Sequence, residues 1–292
     1  MKIASTPDDH DKKGDALKSQ RFQMLADIAK ELSGEVVFPT YFDAVLRLRK
    51  ILNDPDLSMA DIAHAVAVEP LISAKLLQLA NSAAFNTGGK QLVDLKSAIT
   101  RLGLNSVRTT ALSIVMTQLM RAKGMADFSE LTHSLWEHSI TTAAAANIVA
   151  RKLSRQSREE AMLAGLIHDL GAFYMLYRAT QYDELRHRPD TIKYLIIQWH
   201  ESIGVSLLNA LGLPEEIVES TIDHDHMRPT PTTIRNLSDI VYVANMLSGG
   251  HFEWLMQDQP EIPTEMNILE EKYGHLRPEI DALAAEMRSS FA

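Results

Sequence analysis

Residues 161–171 read Ala161-Met162-Leu163-Ala164-Gly165-Leu166-Ile167-His168-Asp169-Leu170-Gly171. Apart from one His-Asp pair, the stretch is nearly all apolar. A carboxylate in such a setting costs several kcal/mol unless it is paired with a cation or bound to one. The pair therefore calls for a partner, and the chain offers imidazoles that could supply it. Eleven histidines are spread along the sequence. His138 sits on the apolar stripe of its helix, between Leu135 and Thr142 and above Ala145. His200 shares a helix with a strong apolar stripe, and His224 and His226 close a segment that starts at Pro214. His10, His64, His133, His187, His251 and His275 have no such context and read as structural or solvated. Imidazoles and a carboxylate converging from several helices suit iron, manganese or zinc. Such an ion could activate water against a phosphate ester. A His-Asp pair satisfied by hydrogen bonds inside a bundle explains the same residues.

Outward from this stretch the apolar spacing is helical throughout. Phe22, Leu25, Ile28, Ala29 and Leu32 share a face, and Gly34 closes that helix. Phe38-Pro39 restarts the chain, and Phe42, Val45, Leu46, Leu48, Ile51 and Leu52 follow, up to Asn53-Asp54-Pro55. Ser58 with Asp61 resembles a capping box, Pro70 fits a first helical turn, and Asp94 and Asn105 are N-cap candidates. Helices are expected over 131–153, from Ser157 to an interruption at Gly171, over 191–211, from Pro214 to about Asp223, and over 234–247. The stripe of the 191–211 helix is Ile192, Leu195, Ile196, Trp199, Ile203, Leu207 and Leu211. Pro260 and Pro263 precede a C-terminal helical pair, and Glu35-Val36-Val37 is the single short strand candidate.

Composition narrows the function classes. The 292 residues are 46% hydrophobic and 23% charged, as expected of a packed protein with a sizeable core. No cysteine is present, which excludes disulfides, thiolate zinc sites and cysteine nucleophiles. The formal charge of −9 disfavours attraction to nucleic acid or anionic membranes, and no basic patch overrides it. Residues 58–80 read like a helix-turn-helix. The second helix offers only Lys75 as a base, however, so two packed core helices are the better reading. Met1 to Gln20 is polar and lacks the apolar run of a secretory leader. No stretch reaches the roughly 20 apolar residues of a membrane span. A cytoplasmic protein is expected.

The order His138, His168-Asp169, His200, His224 resembles the HD superfamily of metal-dependent phosphohydrolases. In the first half, Phe38-Pro39, Leu52-Asn53-Asp54-Pro55, Leu76-Leu77-Gln78-Leu79-Ala80-Asn81-Ser82, and Ala98-Ile99 with Leu102-Gly103-Leu104 resemble the HDOD family, the HD-related output domains. So do residues 163–171 and Gly212-Leu213-Pro214-Glu215-Glu216-Ile217-Val218, and the likeness covers about residues 32–247. It implies an all-α fold in which an N-terminal helical bundle packs on an HD-like helical half. The expected division is a disordered polar leader (1–20), the N-terminal half (21–125), the HD-like half (126–250) and a helical extension (251–292). The junction around 122–128, with Gly124, is a candidate hinge.

The resemblance also implies a bacterial signalling or regulatory module that acts through signalling proteins, with a degenerate pocket able to hold iron, manganese or zinc. The alternative it leaves is an active metal-dependent phosphohydrolase on a nucleotide or other phosphate ester. The family's metal positions fall on His138, His168 and Asp169, with His200 and His224 as further ligands or phosphate contacts. The late metal-binding Asp falls on Asn245. The usual His-His pair reads His224-Asp225-His226, which makes His226 a further candidate and leaves open which of these residues face inward. Ala172 stands where HD enzymes usually carry a Lys. Met227-Arg228-Pro229-Thr230 offers no Gly-Tyr-Pro signature, so cyclic di-GMP hydrolysis is not expected.

Overall fold

Helical periodicity without cysteine or alternating strands predicts a bundle, and the computed structural model, which describes residues 15–33, 43–86, 88–250 and 264–291, shows one. Among these residues there is no strand. The expectations at His10, Gly34, Glu35-Val36-Val37, Phe38-Pro39, Phe42, His251, Pro260 and Pro263 lie outside them. The first helices are α1 (Asp15–Ser33), α2 (Asp43–Leu52), α3 (Met59–Ala67), α4 (Pro70–Asn81), α5 (Leu95–Leu102) and α6 (Leu104–Met120). A 3-10 turn, Met125–Phe128, leads into α7 (Ser129–Leu153), α8 (Arg158–Ile167), α9 (Leu170–Ala179), α10 (Asp183–Arg186) and α11 (Pro189–Ala210). Then come α12 (Glu215–Glu219), α13 (Leu237–Leu247), α14 (Thr264–Tyr273) and α15 (Arg277–Phe291). Among the described residues no helix is long and apolar enough to cross a membrane.

Side-chain caps set many of the starts. Ser58 and Asp61 form a reciprocal capping box, while Asp94, Ser157 and Asn236 each accept from a backbone N–H in the first turn. Asn105 is not a cap: α6 begins at Leu104, and the Asn105 side chain is taken by Arg108 and Glu160 instead. The break after α8 falls at His168-Asp169 rather than at Gly171. The Pro214 helix stops at Glu219, short of Asp223, and α13 starts three residues later than Ile234, at Leu237. Phe22 and Trp199 lie off the core, 75% and 44% exposed. The buried face of α11 is completed by His200 and Gly204 rather than by Trp199.

Helix α7 is the centre of the packing and touches α8, α13 and α15, while α9 lies on α11. Helix α6 joins the two halves by packing on α2, α4 and α5 on one side and on α8 and α9 on the other. One boundary of the sequence division shifts. Residues 15–20 are the first part of α1 rather than leader, and α1 packs on α9, α10 and α11 of the second half. At the 122–128 junction, Met125 and Phe128 are buried, so motion there would have to expose apolar side chains.

Several motif residues of the first half act as stitches. Asn81 donates to the Leu77 and Leu92 carbonyls and accepts from the Leu92 N–H, closing the 82–92 loop. Arg108 donates to the Leu52 carbonyl and to Asn53 Oδ1, and Asn53 donates to the Gly212 carbonyl beyond α11.

Two glycines let helix backbones touch. A Cβ on Gly165 would lie 2.7 Å from the Thr142 carbonyl oxygen, so α8 sits directly on the alanine run of α7. A Cβ on Gly171 would land on the His200 carbonyl oxygen and 2.6 Å from the Gly204 nitrogen, which fixes α9 against α11. Real Cβ atoms do not approach backbone so closely, and backbone cannot rotate aside as a side chain can. Gly171→Ala should therefore lower the unfolding free energy by about 3 kcal/mol, measured by urea denaturation. Gly88→Ala, where nothing lies within 4 Å, should change it by less than about 0.5 kcal/mol.

Candidate metal centre

The helix-helix contacts deliver the ionisable residues to one place. His138 comes from the middle of α7, His168 and Asp169 from the break between α8 and α9, His200 from α11, and His224 from the turn after α12. All five are buried, with exposures of 2%, 1%, 1%, 4% and 1% in that order. His138 Nε2 lies 3.1 Å from His168 Nε2. Asp169 Oδ2 is 3.7 Å from the first and 3.3 Å from the second. On the other side, His200 Nε2 and His224 Nε2 are 3.2 Å apart. Asp169 Oδ1 is 3.5 Å and 3.3 Å from them. Asp169 is thus the shared member of two triads, one per carboxylate oxygen.

The remaining ring nitrogens fix the tautomers. Nδ1 of His138, His168, His200 and His224 faces the carbonyl oxygens of Ser248, Gly165, Ile196 and Thr221 at 3.1, 2.8, 2.7 and 2.7 Å. A carbonyl only accepts, so each Nδ1 carries the hydrogen, and each neutral ring turns its Nε2 lone pair towards Asp169. Two pairs of such nitrogens face each other with lone pairs opposed unless a proton or a cation lies between them. Donor atoms at about 2.1 Å from an ion sit about 3.0–3.4 Å apart in octahedral or tetrahedral geometry. Four of the separations, 3.1, 3.2, 3.3 and 3.3 Å, match those edges, and the other two, 3.5 and 3.7 Å, are slightly longer. Backbone anchoring of the far nitrogen is also the usual support of a ligating histidine. The donor set therefore fits a divalent ion of the iron, manganese or zinc type.

Burial opposes the ionisation of Asp169, but the charges of His168, His200 and His224 and a hydrogen bond from His224 outweigh it, so the carboxyl lies well below its ordinary range. Burial likewise opposes protonation of His224, but the Asp225 charge and the contact with Asp169 raise it to about 10. Burial, helped by the neighbouring imidazoles, pushes His168 down to about 3. His168 thus keeps a bare Nε2, while the side that holds His224 keeps a proton.

The sequence leaves open which residues of His224-Asp225-His226 face inward. His226 turns outward, with its side chain 75% exposed, and pairs with Asp223 at 3.2 Å and Glu201 at 4.0 Å. Asp225 turns inward instead. Its Oδ2 lies 3.4 Å from His200 Nε2 and 3.7 Å from His224 Nε2. Asn245 is fully buried beside the cluster. Its amide nitrogen donates to the His224 carbonyl at 3.0 Å and to Asp225 Oδ1 at 2.8 Å, so nitrogen, not oxygen, faces the carboxylate. Asn245 Oδ1 has no protein partner.

The helical fold has counterparts among solved structures. A candidate metal-dependent phosphohydrolase from Shewanella amazonensis SB2B matches with a TM-score of 0.70 at 21% identity, over 94% of this chain and 100% of that one. An HDOD domain protein of unknown function from Geobacter sulfurreducens matches with a TM-score of 0.54 at 19% identity, over 83% and 90% of the two chains. Residues 38–227 match the HDOD domain, and the chain belongs to that family. An uncharacterised protein of Treponema pallidum (strain Nichols) is 23% identical over 244 residues, which are 79% of this chain and 45% of that protein. The chain therefore spans less than half of that relative's length.

Removing the shared carboxylate takes one of two counter-charges from the buried His224 imidazolium. In chelator-treated protein, Asp169→Ala should lower the unfolding free energy by about 3–5 kcal/mol. His226→Ala, at the surface, should change it by less than about 0.5 kcal/mol. Urea denaturation at neutral pH measures both.

Proposed function

We propose that the chain is a bacterial signal-transduction module of the HDOD type, working in the cytoplasm through signalling-protein partners and carrying a closed divalent-metal centre. The observation that carries this reading is the burial of the whole donor set, none of whose five residues exceeds 4% exposure. Structural metal sites are closed by protein donors, whereas hydrolytic sites keep a position open for water and substrate. Position 172, where HD enzymes usually carry a lysine, is a fully buried alanine, so no cation stands there to hold a phosphate. His138, His168 and Asp169 would hold one iron, manganese or zinc ion, and Asp169, His200 and His224 would hold another.

A second reading, a phosphohydrolase acting on a nucleotide or another phosphate ester, is favoured by the convergence of His138, His168, Asp169, His200 and His224. A bound ion would supply Lewis acidity and a hydroxide nucleophile at neutral pH. The residues of the chain would orient the ion through their backbone-anchored rings and exclude bulk water from it.

Elemental analysis of untagged protein, purified without added metal or chelator, should find near-stoichiometric iron, manganese or zinc that His168→Ala loses. The same protein should release no phosphate above background from a panel of nucleotides and phosphate esters. Chelator-sensitive release that His168→Ala abolishes would establish the enzyme instead. Protein that stays empty after incubation with each ion would remove the metal centre from the account.

A further inference from the structure

We infer that Asp225, not Asn245, supplies the second carboxylate of the metal centre, and that Asn245 is the positioning residue that holds it there; this rests on the metal-binding reading above. One carboxylate shared between two imidazole pairs leaves two divalent ions poorly neutralised. The family pattern expects a further Asp where this chain has Asn245. Asp225 restores the missing charge from a different place in the chain. Its Oδ2 lies 3.4 Å from His200 Nε2 and 3.7 Å from His224 Nε2, comparable to the 3.5 Å and 3.3 Å that Asp169 Oδ1 keeps from the same two nitrogens. Its side chain is only 15% exposed.

The role of Asn245 follows from the direction of its amide. Both of its hydrogens are spent on acceptors, the His224 carbonyl at 3.0 Å and Asp225 Oδ1 at 2.8 Å. The two acceptors force this orientation, because a flipped amide would set oxygen against oxygen. One side chain thus ties the backbone of the ligand His224 to the carboxylate of the next residue and holds Asp225 Oδ2 towards the ring nitrogens. An Asp at position 245 would set a second carboxylate against Asp225 Oδ1. The side that holds His200 and His224 then carries two nitrogens and two carboxylate oxygens. That set is harder than the two nitrogens and one oxygen on the other side, and manganese is the suitable probe.

The test is titration of chelator-stripped protein with Mn2+, following free ion by electron paramagnetic resonance, with circular dichroism to confirm folding of each variant. Asp225→Asn is isosteric and should weaken one class of binding by at least about tenfold while sparing the other. Asn245→Ala should weaken the same class by about tenfold. The double variant should be no weaker than Asp225→Asn alone, because Asn245 acts only through Asp225. Asn245→Asp, also isosteric, should weaken Mn2+ binding although it adds a negative charge. Stronger binding by Asn245→Asp would show position 245 to be a ligand and overturn the inference. So would additive losses in the double variant. Wild-type affinity in Asp225→Asn, with binding lost in His168→Ala, would overturn this inference and leave the metal centre standing. Wild-type protein that takes up no Mn2+ would overturn both.

Discussion

The buried His-Asp cluster depends on two places where helix backbones touch. Helices usually pack with axes about 8–10 Å apart, held off by their side chains. At Gly165 and Gly171 no side chain intervenes, and the neighbouring backbone fills the space where a Cβ would stand. The first contact brings α8 onto α7 and so His168 onto His138; the second brings α9 onto α11 and so Asp169 onto His200. Imidazoles have a short, fixed reach, so their nitrogens meet only because the helices do. The buried negative charge of Asp169 is then tolerable, since four rings surround it.

How much of this was legible in the sequence varies with the kind of signal. His168-Asp169 was readable because an ionisable pair in an apolar run needs a partner, and His138 and His200 because they interrupt helical stripes. Ser58, Asp94 and Ser157 announced their helices through local hydrogen bonds that need no tertiary information. The choice between Asp225 and His226 was not readable. Both follow a helix that has already ended, in a turn where Asp223 takes a φ of +57°, and periodicity has no meaning there. Trp199 misled because it borders the buried stripe of α11, whose inward positions are filled by His200 and Gly204. Gly171 was read as a helix interruption, since the backbone it must admit belongs to a helix thirty residues on, and nothing local records that.

The residues that carry the family likeness divide into two kinds. Those of the second half form the cluster. In the first half, Asn53 and Asn81 bind loops and carbonyls. The C-terminal helices, which lie beyond the matched residues 38–227, nonetheless reach the centre's supports. Arg277 donates to the Leu247 carbonyl, beside the Ser248 carbonyl that receives the His138 ring. Arg288 pairs with Glu137, the neighbour of His138, at 2.6 Å. The cluster is therefore braced from the last helix as well.

The anchoring of the rings has one more consequence. Three of the four Nδ1 hydrogens go to carbonyls three or four residues earlier in the same segment, so those rings travel rigidly with their own backbone. The fourth, on His138, is moored to a different helix, through Ser248 at the end of α13. The cluster thus works as a gauge. A slide of one helix past another is transmitted undiminished to the spacing of its nitrogens, with no flexible linkage to absorb it. By the reciprocity of linked equilibria, whatever occupies the space between those nitrogens must favour one helix spacing over others, and whatever shifts the helices must alter the hold on that occupant.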